Sequence, residues 1–134
     1  MQLREKPTEN EKITINLGFV DLGRIDLLVQ EGFYSNRSDL IRTAIRNQLD
    51  KHTGVVSQSL ERHTMELGLR DYSVADLEAI RAAGEMLHVK VVGLARIDAD
   101  VTPELARATI GSITVLGAFQ ASPQIKKALS DRIR

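Results

Sequence analysis

Residues 12–17, Lys-Ile-Thr-Ile-Asn-Leu, alternate strictly. Ile13, Ile15 and Leu17 point one way; Lys12, Thr14 and Asn16 point the other. A period of two predicts a strand over 12–18 with one apolar and one polar face. Two helical patterns follow it, not a second strand. A lone strand leaves backbone groups unpaired and its apolar face open. It therefore pairs outside its own helical unit, most simply with the same strand of a second copy. A paired ribbon carrying long polar side chains on its open face suits the major groove of DNA.

The first helix is expected from about Val20 to Glu31, with Leu22, Ile25, Leu28 and Val29 at helical spacing. Gly32 suits a left-handed terminator. Ser35 or Asn36 caps the second helix, and Asp39 in its first turn suits the macrodipole. Leu40, Ile41, Ala44, Ile45 and Leu49 form its apolar stripe. Arg42 and Arg46 lie four apart on a different face.

Strand, helix, then Gly32-Phe33-Tyr34-Ser35-Asn36-Arg37-Ser38 and Asp39-Leu40-Ile41-Arg42-Thr43-Ala44-Ile45-Arg46 resembles the CopG/Arc/MetJ-type ribbon-helix-helix transcription factors. The resemblance covers roughly residues 11–51. It implies two intertwined chains whose strands form an antiparallel ribbon in the major groove. Lys12, Thr14 and Asn16 become the base readers; Ser35, Asn36, Arg37 and Ser38 become a phosphate clamp built on a helix N-terminus. Ile13, Ile15, Leu17, Leu22, Ile25, Leu28, Leu40, Ile41 and Ile45 become the dimer core. The chemistry agrees with the assignment: Asn pairs bidentately with adenine, Lys with guanine, and the Thr methyl meets a thymine methyl. A helix N-terminus is a ready anion site. Members of the family often carry a long cation where Asn16 stands, which leaves the preferred bases open.

The 134 residues have a formal net charge of zero, so any DNA site is a local patch and not a basic domain. Through Lys51 there are eight basic and eight acidic residues. Arg37, Arg42 and Arg46 are the candidates for the patch. A few phosphate contacts per dimer give modest affinity, which favours several dimers acting together. Cysteine is absent and Trp is absent, so the core is aliphatic and disulfides and thiolate metal sites are excluded. Without an apolar run near 18 residues or a basic–apolar–small start, no membrane span or signal peptide is expected. A cytoplasmic location fits that composition, and the resemblance to DNA-binding regulators implies association with the nucleoid.

Residues 53–61 break the pattern and read as a linker, after a flexible arm at 1–10 and a DNA-binding unit at 11–52. Beyond them the chain repeats. Met65-Glu66-Leu67-Gly68-Leu69, Lys90-Val91-Val92-Gly93-Leu94 and Thr114-Val115-Leu116-Gly117-Ala118 place glycine at the same point, 25 and 24 residues apart. Each run leads to a capped helix start at Ser73, Thr102 or Ser122, the last two followed by proline. Asp76, three after Ser73, completes a capping box with Asp in place of Glu. Residues 62–134 thus read as three βα units, either a small solenoid or a flat α/β layer. The fold class is mixed α/β. Open strand edges in such a stack favour assembly of dimers into tetramers or larger arrays.

The function expected is a homodimeric repressor that binds double-stranded DNA, without enzymatic activity. Nucleotide-binding Gly-rich motifs and thiols are missing, and Asp98 and Asp100 before the Thr102-Pro103 cap read as a solvated turn. His52, His63 and His88 are scattered, so no metal or other cofactor is expected. Two alternatives carry different partners: an antitoxin that binds a toxin protein through its C-terminal region, and an architectural filament protein. A small effector seated in the βα region is a further partner to consider.

Overall fold

A computed structural model of the chain describes residues 9–134. The expected arm at 1–10 falls outside them, apart from Glu9 and Asn10. The elements are α1 (Phe19–Gln30), α2 (Arg37–Lys51), α3 (Thr53–His63), β1 (Glu66–Tyr72), α4 (Val74–Ala82), β2 (Leu87–Ile97), α5 (Pro103–Thr109), β3 (Ile110–Gln120) and α6 (Pro123–Ala128). They divide into two compact units, residues 10–59 and residues 60–134.

In the first unit, α1 and α2 stand within two residues of the expected bounds. Gly32 takes φ +86°, the left-handed stop after α1. Phe33 N–H reaches back to the Leu28 carbonyl at 3.0 Å. Asn36 is the α2 cap, its side chain accepting from Asp39 N–H at 2.8 Å. One expectation is corrected here, and another needs a second chain that a single copy does not supply. Residues 12–18 hold no strand hydrogen bonds in the single chain, because nothing else in the unit is extended and able to pair with them. Residues 53–61 are not a linker but lie in α3. The helical path breaks only around His52, where Thr53 Oγ donates to the Asp50 carbonyl at 2.9 Å, and resumes at once. Thr53-Gly54 reads as a breaker in sequence, but Val56 and Leu60 already carry the i, i+4 spacing that outvotes it.

The second unit is a sheet of three parallel strands in chain order, β1-β2-β3. The three recurrent glycines form one rung: Gly68 pairs with Gly93, and Gly93 with Gly117. All three take φ between +117° and +138°. A Cβ on Gly93 would sit on the Gly68 carbonyl oxygen, and one on Gly117 on the Gly93 carbonyl oxygen, far inside van der Waals contact. Both the left-handed backbone and the close approach require glycine.

The three helix caps form as their residues dictate. Ser73 accepts from Asp76 N–H while Asp76 accepts from Ser73 N–H. Thr102 and Ser122 accept from Leu105 and Ile125 N–H, each with proline in the first turn. α5 packs between α4 and α6. The solenoid and the flat layer were two descriptions of this connectivity; the result is one sheet backed by one layer of helices. Between them lies a core built on Leu77, Val89, Val91, Ala95, Leu105, Ile110, Ile113, Ile125 and Leu129. The chain's end adds a bridge on the outer side of β3, where Ile113 N–H donates to Arg132 O at 2.9 Å and Arg134 N–H to Ile113 O at 2.8 Å. Arg107 holds that end through Asp131 at 2.8 Å.

Candidate nucleic-acid interface

Lys12, Thr14 and Asn16 lie on the exposed segment ahead of α1. The backbone is extended where it enters the helix, with Gly18 at φ −64°, ψ 152°. Their apolar neighbours are exposed as well, Ile13 at 72%, Ile15 at 60% and Leu17 at 41%. Of the other expected dimer-core residues, Leu22, Ile25, Leu40 and Ile41 are half-buried, while Leu28 and Ile45 are exposed. Among the described residues of 10–59, none is buried. Such a surface, on two amphipathic helices and an unpaired alternating segment, lacks a core of its own.

The four residues expected at the phosphate come together at the start of α2, but three are already engaged. The Arg37 guanidinium makes a bidentate pair with Asp26 of α1, Nε–Oδ1 at 2.7 Å and Nη2–Oδ2 at 2.8 Å. Those hydrogen bonds hold the Asp26 carboxyl below the usual carboxylate range and raise Arg37 above the usual arginine value. Arg37 therefore ties the two helices together through its Nε–Nη2 edge, the edge that would otherwise grip a phosphate bidentately. The Asn36 side chain is spent on the cap. Ser35 N–H donates to Asp39 Oδ2 at 2.9 Å. The N–H groups of Arg37 and Ser38, in the first turn, are ones that an α-helix itself leaves without an intrahelical acceptor. Arg42 and Arg46 remain exposed on α2.

Sequence reasoning missed the Asp26–Arg37 pair and the Asp39–Ser35 contact. Asp39 three after Asn36 carries the signal of a cap, and the structure extends it by one residue. Asp26 lies 11 residues from Arg37 and carries no periodic signal.

Elsewhere, His88 shares a hydrogen bond of 2.8 Å with Ser112. Among the described residues, no group of three His, Cys, Asp or Glu side chains could hold a metal ion, and no helix is long and apolar enough to cross a membrane. An open cleft of about 880 Å³ lies at the carboxyl ends of the strands, lined by Asp71, Arg96, Asp98, Gln120 and Lys126 among others. That end of a parallel sheet is where α/β folds place ligands. Desolvation, then the neighbouring Asp100, Asp71 and Asp76 carboxylates, push the Asp98 carboxyl up, against the pull of Arg96.

The pattern that defines the Ribbon-Helix-Helix transcriptional regulator family matches residues 8–126. The chain belongs to that family. The match runs through the unpaired segment, both helices of the expected motif and nearly all of the βα units. A similar protein is the transcriptional regulator CdrS of Halobacterium salinarum, 33% identical over 43 residues, which make up 32% of this chain and 78% of CdrS. No solved structure matches the chain. Ribbon-helix-helix regulators bind DNA and dimerise, and this chain is a transcriptional regulator of that kind.

Proposed function

We propose that the protein is a sequence-specific repressor that occupies an operator as a homodimer. Residues 11–52 of two chains form the DNA-binding unit, and their 12–18 segments pair as an antiparallel ribbon in the major groove. Lys12, Thr14 and Asn16 face the base edges. The first-turn N–H groups of α2, at Arg37 and Ser38 beside Ser35 and Asn36, meet a backbone phosphate. Ile13, Ile15 and Leu17 turn inward with Leu22, Ile25, Leu28, Leu40, Ile41 and Ile45 to make the shared core. Residues 62–134 assemble dimers on neighbouring half-sites, which offsets the zero net charge through multivalency.

One observation carries the reading: an alternating segment with exposed apolar and polar faces opens a unit in which nothing is buried. Both features make sense once a second chain supplies the other strand. The antitoxin alternative calls for a C-terminal tail that folds on its toxin. Here residues 60–134 already bury a continuous core, which favours the repressor.

The test is selection of genomic fragments by the purified protein, in parallel with Asn16→Ala. Wild type should enrich a short repeated motif that the variant no longer selects, with the fold unchanged by circular dichroism. The same motif in both would remove Asn16 from base reading; no motif in either would remove the operator.

A further inference from the structure

The helices of the second unit cover one face of the sheet. Val89, Val91, Ala95 and Ile97 of β2 turn to that side and join the core. The alternate residues turn to the other. Strand register lines them up in rungs: Leu67 with Val92 and Leu116, and Leu69 with Leu94 and Ala118. The rungs give six adjacent apolar side chains, none of which belongs to the helix-side core. Leu67 is 68% exposed and Leu116 62%; Leu94, flanked on both sides by neighbouring strands, is 8%. Polar residues bound the stripe along the strands, Lys90 and Thr114 at one end, Asp71, Arg96 and Gln120 at the other.

We infer that this open sheet face packs against the same face of a second copy of the chain, two sheets closing into a sandwich. The inference rests on the proposed assembly role and names its surface. A second copy is the occupant for three reasons. Members of the family dimerise and bind DNA, so each dimer carries two of these faces, and dimers on neighbouring half-sites hold them close together at high effective concentration. The chain's formal net charge is zero, so copies do not repel one another at long range. The rims are also complementary. When the strands of two copies run in opposite directions, Lys90 of one copy comes over the rung that holds the other copy's Asp71 and Arg96. Asp71 already accepts from Arg96 Nε at 2.6 Å, and a second cation completes the cluster.

The chain has no cysteine, so a single introduced thiol reports the contact. Val92, half-buried on the central strand, lies one residue from Gly93, where the two-fold axis passes when Lys90 meets the other copy's Arg96 rung. Full-length Val92→Cys treated with a short bismaleimide should give a covalent dimer, because packed sheets lie about 10 Å apart. Glu78→Cys, on an exposed position of α4, should not. Adding Leu116→Asp should lower the Val92→Cys cross-link yield about tenfold or more, with the far-ultraviolet dichroism unchanged, since Leu116 is outside the helix-side core. A preparation of dimeric or larger mass that fails to cross-link at Val92→Cys, or cross-links equally with Leu116→Asp, overturns the inference and leaves the DNA-binding dimer standing. A monomeric mass in solution overturns both.

Discussion

Residues 60–134 and residues 10–59 solve the problem of burial in opposite ways. The first makes its own interior: twelve large or small apolar side chains, from Leu77 to Leu129, sit at or near zero exposure between one sheet and one helix layer. The second has comparable helices, well-placed caps and an alternating segment, yet buries nothing alone. Secondary structure in it is specified locally, and its tertiary stability is deferred to association. Folding of 10–59 should therefore depend more steeply on protein concentration, by mass action, than folding of 60–134, whose helix-side core forms within one chain.

Breaking that core gives the largest expected effect. Leu77 is fully buried on α4, and Leu77→Ala should cost the second unit about 2–5 kcal/mol through lost burial and the cavity left behind. Chemical denaturation at several concentrations checks it: the less concentration-dependent transition, that of the second unit, should move while the more concentration-dependent one stays. Movement of both would mean that the units do not fold separately.

The glycine rung gives the next effect, and it separates two causes. Gly68 and Gly93 share the left-handed conformation, but an added Cβ meets nothing at Gly68 and the Gly68 carbonyl at Gly93. Gly68→Ala should cost about 1–3 kcal/mol from backbone strain alone. Gly93→Ala should cost more, because strands β1 and β2 must also separate. Equal losses in thermal unfolding would show that close approach is not what fixes the rung.

Much of this was legible in sequence because the signals are local. Caps at Asn36, Ser73, Thr102 and Ser122 need only a side-chain oxygen three residues before an N–H. The glycine spacing announced the strands, since each repeat unit places the same residue at the same rung. What was not legible was non-local or composite. The alternation at 12–17 foretold a strand, but a strand exists only when a partner supplies its hydrogen bonds. Arg37 looked like a free phosphate ligand because nothing in sequence ties it to Asp26. Leu116 lies in a strand of uniform apolar pattern, and only the one-sided placement of the helices shows that it faces away from the core.

The smallest effect concerns that Asp26–Arg37 pair, which joins the two helices of the unit without an interior. Arg37 hydrogen bonds hold the Asp26 carboxyl below its ordinary value. A carboxylate depressed by folding stabilises the folded state above its unfolded value, and that contribution fades as pH falls through the folded one. Asp131, also lowered, by Arg107, acts in the same direction in the other unit. Asp26→Asn should therefore flatten the acid limb of the first unit's transition and leave the second unit's acid limb in place. Both groups are exposed, so the change should be modest and should shrink with added salt. An acid limb identical to wild type would show that Arg37 exchanges readily between Asp26 and solvent, and would return its guanidinium to the phosphate.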